Sequence, residues 1–349
     1  MADFTGQARF FAMFIVLNSR VNNKMKQETK EKILNEIINL LASDKILVIA
    51  DYKNLKLGSE FTKYLVGKGF FPDFVVMPIT KNDGDEPSLL VAKGCETVTV
   101  IVAFTVWSIT HTLPVQKAKK NNPAKVISVP NADGMLLDRT VDIDYLEVKS
   151  KALALKKLIS SKEEILITTD LGTNLKISTK GFKANPMYGD VSYGQHINLP
   201  DGECSVGVEN ANGTLVIDGS MPPDNKSIWG MIGLIETPIT LIIENGYVTK
   251  ITGGKEAQVL TKILSDSGEE SYKIAEFGIG LNPKAKISGN VTEDEKVLGT
   301  VHIALGNNTG LGGVNYAKVH LDGVIKNPTV LIDNWVIINN GKHVYKYNK

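Results

Sequence analysis

The chain has 349 residues, 43% of them hydrophobic and 22% charged, with a formal net charge of +1. That length suits two domains rather than one core, and the near-neutral balance excludes electrostatic capture of nucleic acid or of an anionic membrane. Two cysteines, Cys95 and Cys204, without Cys-x-x-Cys spacing, exclude a disulfide framework and a structural zinc site and fit a reducing, cytoplasmic setting.

The apolar run Phe10–Leu17 (FFAMFIVL) is far shorter than the roughly 20 residues of a membrane span. No small-residue cleavage site follows it, so it reads as a buried packing segment. Lys24–Ala42 carries apolar residues at Ile33, Leu34, Ile37, Ile38 and Leu41, a helical stripe. Ile46–Ala50, Phe74–Ile79, Val98–Phe104 and Val126–Pro130 are short unalternated apolar runs, as expected of strands buried on both faces of a parallel sheet. Lys56–Lys68 reads as a helix stopped at Gly69. The basic runs Lys117–Pro123 and Lys149–Lys157 are interrupted by apolar residues and read as solvated surface. This alternation of strand and helix predicts an open α/β domain with a parallel sheet over residues 1–160. No Gly-x-Gly-x-x-Gly follows any of its strands, so a dinucleotide site is not supported.

Past the helical Asp144–Ile159 the pattern changes, predicting a mainly antiparallel β (α+β) domain over residues 161–349. Asn212-Gly213, Asn245-Gly246 and Asn340-Gly341 each lie between β-prone segments and suit type I′ turns. Pro238–Ile251 is the clearest hairpin. Helical signal is confined to Lys255–Ser265 and a short piece after Thr292, where Glu295 completes a capping box.

Histidine is scarce, five in the whole chain, yet two fall within Val301–Gly306 (VHIALG) and Lys318–Gly323 (KVHLDG). On a strand, His320 and Asp322 point to one face while Val319 and Leu321 point to the other. Two such side chains can reach one ion, and imidazole nitrogen with carboxylate oxygen suits zinc, cobalt, manganese or iron. Taken alone, a His-x-Asp pair is more often an ordinary hydrogen-bonded pair. Here His302 also alternates with apolar neighbours, and the glycine-rich Gly306–Asn315 allows the two histidine segments to fold together. Glu276 interrupts the apolar and small-residue run Ile274–Gly280, where a buried carboxylate needs a partner. Glu203 lies in the turn-rich Leu199–Glu203, where spacing alone would favour an exposed loop acid.

Ala275–Pro283 (AEFGIGLNP), Gly299–Gly306 (GTVHIALG), Gly312–Asn315 (GGVN) and Val319–Gly323 (VHLDG), in that order, resemble the thermophilic metallo-aminopeptidase family that includes aminopeptidase T. Asn198–Glu203 (NLPDGE), Ser108–Thr112 (SITHT) and Thr168–Thr173 (TTDLGT) extend the resemblance over most of the chain. It implies a homodimeric, two-domain hydrolase that removes N-terminal residues from small peptides. Two zinc or cobalt ions, or manganese, would be held by Glu203, Glu276, His302, His320 and Asp322. The metals would lower the pKa of a bridging water, and Glu276 would shuttle its proton. One position departs from that family, which has a tyrosine seven residues after the first histidine. Here that residue is Thr309, with Tyr316 nearby. A divergent branch, the iron-dependent dioxygenases that open the ring of dihydroxypyridine, is also similar. It implies one Fe(II) held by His320, Asp322 and one further ligand, with His111 and His196 contacting a small-molecule substrate.

Overall fold

The computed structural model describes residues 24–82, 84–221 and 232–346; Phe10–Leu17 lies outside them. Strands β1 (Ile46–Asp51), β2 (Asp73–Met77), β3 (Val100–Thr105) and β4 (Lys125–Pro130) pair in parallel in the order β2-β1-β3-β4. Every residue of β1, β3 and β4 is buried. Their alternation explains why the runs are apolar throughout. Val48, Val100 and Val102 pack under Leu57, Phe61 and Ile37 on one face, while Leu47, Ile49 and Ile101 pack under Val91, Cys95 and Val115 on the other.

The first helix is shorter than its stripe suggests. Gln27–Lys32 continues as a wide π-type turn over Ile33–Ile38 and ends at Asn39, whose φ of 48° cannot propagate a helix. Helix Leu55–Gly67 stops just before Gly69, at φ 89°. Helix Tyr145–Ile159 starts where the Asp144 carboxylate accepts from the Leu146 and Glu147 amides.

After that helix the chain enters antiparallel structure through β5 (Ile165–Thr168), β6 (Asn174–Ser178) and β7 (Asn185–Met187). It then returns to the first sheet, where β8 (His196–Asn198) adds parallel to β4. From there follow β9 (Glu203–Gly207), β10 (Asn210–Ile217), the short β11 (Ser220–Met221) and β12 (Gly233–Leu234), β13 (Ile239–Glu244) and β14 (Tyr247–Thr252). The rest are β15 (Ile274–Gly280), β16 (Val301–Gly306), β17 (His320–Ile325), β18 (Thr329–Ile332), β19 (Trp335–Asn339) and β20 (Lys342–His343). They form an eight-stranded sheet, β14-β13-β10-β6-β5-β18-β19-β20, and a five-stranded sheet, β17-β16-β15-β9-β7. The two pack through one core that includes Leu215 and Leu241 from the first and Val206, Phe277, Ile303 and Leu321 from the second.

Two local expectations are corrected. Asn245 and Gly246 take φ 52° and 82° and Asn340 and Gly341 45° and 74°, as a type I′ turn requires. Asn212-Gly213, however, lies inside β10, with Gly213 opposite both Ile243 and Leu175. A Cβ at Gly213 would sit 2.2 Å from the Asn174 carbonyl oxygen, so this glycine serves close backbone approach rather than a turn. The short helix is Val291–Asp294, with Asn290 before its first residue; Glu295 follows the helix and turns inward instead of capping it.

Candidate metal centre

The five-stranded sheet has one apolar face and one polar face, and the register decides what meets on the latter. Glu276 lies opposite Ala304, which lies opposite Asp322, so a methyl group is all that separates the two carboxylate positions. Gly278 lies between Ser205 and His302, Gly280 lies opposite Glu203, and Gly306 lies opposite His320. The polar residues on this face are therefore flanked by glycine or alanine, which leaves room above the sheet. A Cβ at Gly278 would fall 1.9 Å from His302 Nε2, so the imidazole lies directly over that glycine.

Two groups of donors result, each with its atoms within 4.8 Å of one another: Glu276, His320 and Asp322, and Glu203, Glu295 and His302. In the first, His320 Nε2 is 3.1 Å from Glu276 Oε2 and 3.5 Å from Asp322 Oδ1. His320 Nδ1 donates to the Asn307 carbonyl at 2.6 Å, which fixes the ring and turns Nε2 toward the carboxylates. Burial works against charge on His320, but Asp322 and Glu276 outweigh it and hold the imidazole pKa well above its ordinary value. Burial raises the Asp322 pKa, and His320 more than reverses this, bringing it to about 2.

In the second group, His302 Nε2 faces Glu203 Oε2 at 3.6 Å and Glu276 Oε1 at 4.0 Å, so Glu276 lies between the groups. Lys296 enters here, 2% exposed, with Nζ 2.9 Å from Glu203 Oε1 and paired also with Glu295. Burial pushes the Glu203 carboxyl up to about 7 and Glu295 to about 8, against the pull of Lys296. Neither Glu295 nor Lys296 was singled out as part of a site from sequence. In Thr292–Val297 (TEDEKV) Glu295 reads as a capping-box residue and Lys296 carries no signal of its own, and only their tertiary placement brings them to the site.

Two further histidines meet at the parallel sheet. His111 follows β3, and His196 opens β8. Their rings meet edge to face, with centroids 5.5 Å apart. Lys119 Nζ donates to His196 Nδ1 at 2.9 Å. Burial, then Lys119, then His111 lower the His196 pKa to about 4. Burial, then Lys119, then His320 lower that of His111, which places His111 within electrostatic reach of the first group. Thr309, where the aminopeptidases have tyrosine, bonds its hydroxyl to Asn307 Oδ1, and Tyr316 is an exposed side chain.

Among known proteins, the family model for 2,5-dihydroxypyridine 5,6-dioxygenase (NicX) matches residues 79–345. A 2,5-dihydroxypyridine 5,6-dioxygenase of Pseudomonas putida KT2440 is 26% identical over 203 residues, which span 54% of this chain and 57% of that protein. Thus the sequence match spans little more than half the length of that relative. The structure of 2,5-dihydroxypyridine dioxygenase from the same organism superposes with TM-score 0.75 at 19% identity, covering 91% of this chain and 96% of that one. Wild-type AmpT from Thermus thermophilus superposes with TM-score 0.66 at 15% identity, covering 91% and 98%. These structural likenesses establish the shared mixed α/β fold. The family match overturns the expectation of an aminopeptidase or protease: the matching family model and the curated relative are both dioxygenases. No helix among the described residues is long and apolar enough to cross a membrane.

Proposed function

The chain belongs to the 2,5-dihydroxypyridine 5,6-dioxygenase family, and from that membership we propose that it is an Fe(II)-dependent dioxygenase that opens a dihydroxypyridine-like ring. The observation that carries the assignment of the iron position is the meeting of Glu276, His320 and Asp322 at one point. Glu276 and Asp322 are each 8% exposed, and two buried carboxylates require a cation. The His320 Nδ1–carbonyl bond supplies the support typical of a ligating imidazole. The trio has one imidazole and two carboxylates, whereas the common facial triad has two imidazoles and one carboxylate. An iron(II) ion held there would supply open positions for the substrate hydroxyl and O₂, whose two oxygen atoms enter the product as the ring bond breaks.

The protein groups around the trio set up the substrate. Lys119 donates to His196 Nδ1, so the neutral His196 ring carries its proton on Nε2 and offers it as a hydrogen-bond donor to a ring substituent. His111, exposed to solvent and held below its ordinary pKa, accepts the proton of the ring hydroxyl as the substrate binds. Glu203 and Glu295, both paired with Lys296, stand beside the trio without joining it.

The test is anaerobic reconstitution with Fe(II), followed by oxygen uptake and loss of ring absorbance with 2,5-dihydroxypyridine. About one iron per chain and stoichiometric oxygen uptake are expected. A protein that binds iron yet leaves dihydroxypyridines intact and consumes no oxygen would remove the assignment.

A further inference from the structure

Glu203, Glu295 and His302 form a donor set as compact as the first, yet a lysine lies in it. Lys296 is among the largest fully buried side chains of the protein. Its Nζ is bound to both carboxylates, at 2.9 Å from Glu203 Oε1 and in closer contact with Glu295. A divalent ion on these donors would lie about 2.0–2.2 Å from each carboxylate oxygen, in the space the ammonium fills and against its like charge. Beyond the lysine, Glu203 Oε2 faces His302 Nε2 only at 3.6 Å, outside hydrogen-bond reach. Glu203 Oε2 and His302 Nδ1 are buried and make no hydrogen bond, and these residues are 3% and 1% exposed.

The backbone delivers the lysine to this spot with little freedom. The Lys296 carbonyl accepts from the Asn282 amide at 2.8 Å, and its amide donates to the Glu293 carbonyl at 3.0 Å. Gly280 allows the segment to lie directly on β15, because a Cβ there would meet the Val297 carbonyl oxygen at 2.1 Å. Arg139 ties the preceding turn down through Glu293 at 2.6 Å. A side chain placed so firmly and paired with two acids is a fixed cation at that position.

We propose that the Lys296 ammonium stands in for a second metal ion, holding a latent Glu203–Glu295–His302 site closed and restricting the centre to a single ion. The chemistry that follows is that of one redox-active ion with open positions, not of two ions sharing a bridging water. This inference rests on the preceding reading only for which donors hold the resident ion; the latent site is a separate set of residues.

The experiment counts metal in the full chain and in Lys296→Met and Lys296→Gln, each stripped, loaded anaerobically with Co(II) alone, desalted and measured by elemental analysis. Lys296→Arg, which keeps the charge, is the control. The expected result is one equivalent more in Lys296→Met and Lys296→Gln than in wild type, and no gain in Lys296→Arg. Thermal unfolding provides a second readout. Loss of the lysine leaves two buried acids without a cation, so both neutral variants should melt lower in chelator and recover more on adding Co(II) than wild type does. An unchanged count with no extra recovery, or a second equivalent bound by wild type, overturns the inference. If wild type binds none while the neutral variants bind one, the iron assignment falls and the role of Lys296 stands.

Discussion

Replacing Gly278 by alanine adds one methyl group in the middle of the polar face. The new Cβ would lie 1.9 Å from His302 Nε2, 2.1 Å from Cε1 and 2.8 Å from Cδ2. The backbone at 278 has no positive φ, so alanine is tolerated conformationally and the effect is steric alone. His302, 1% exposed, has no solvent to turn into. Forcing an extra methyl into a packed site costs about 1–3 kcal/mol, and driving the ring off its rotamer adds about 0.5–1.5 kcal/mol. Against this stands a gain of about 0.4–1 kcal/mol from the stiffer unfolded chain. The net expected loss is about 0.5–4 kcal/mol, read from urea unfolding midpoints at constant m. The decisive arm is the same substitution in a His302→Ala background, where the space is vacated. There Gly278→Ala keeps only the unfolded-chain gain and should stabilise by about 0.4–1 kcal/mol, giving a coupling of about 1.5–4.5 kcal/mol. Equal costs in the two backgrounds, or no cost in the parent, would show that the imidazole does not lie over this glycine.

Other substitutions probe the remaining contacts. His320→Ala should weaken Fe(II) binding roughly 100-fold or more, measured by anaerobic titration; retention of iron at wild-type affinity would remove His320 from the proposed ligands. Asn282, fully buried, donates to the Thr140 and Asp201 carbonyls and accepts from the Lys284 and Ala285 amides. Asn282→Ala leaves these groups unpaired and should cost about 2–4 kcal/mol by equilibrium unfolding; a loss below ~1 kcal/mol would contradict that network. For His196 the folded pKa of about 4 lies below the ordinary imidazole value of 6.5, so the unfolded chain binds the extra proton between them. This stability is complete above about pH 6.5 and is lost as pH falls toward 4. Lys119→Met removes the nearby positive charge, so the His196 pKa should rise while burial keeps it below 6.5, as followed by imidazole NMR titration. An unmoved titration would exclude Lys119 as a cause.

Much of the architecture was written in local patterns, and the reasons are visible residue by residue. Ile46–Asp51 is apolar throughout because Val48 and Leu47 enter different cores on opposite faces of one sheet. The pairing of His320 with Asp322 followed from alternation, because both flank Leu321, which enters the core. What escaped was whatever depends on distant chain. Gly213 follows asparagine as turn glycines do, but its reason lies in the approach of Asn174. Glu295 and Lys296 sit in an acidic and basic stretch that looks solvent-exposed, and their burial is decided by Glu203, far away in sequence. The same holds for the chemistry: the donor residues are compatible with hydrolysis and with ring cleavage, and a lysine that looks like surface charge lies among them.

The return of residues 196–198 to the first sheet has a consequence for how the molecule can be divided. The segment enters between β7 and β9, which pair with each other, so the parallel sheet is completed by a loop of its neighbour. A cut between helix Tyr145–Ile159 and β5 would leave one fragment with an unfilled edge beside β4 and the other with an unpaired strand bearing His196. The two halves are therefore not interchangeable modules. Co-expressed as separate chains, they should reassemble by strand complementation, and a graft of either half onto a foreign partner would have to bring its own fifth strand.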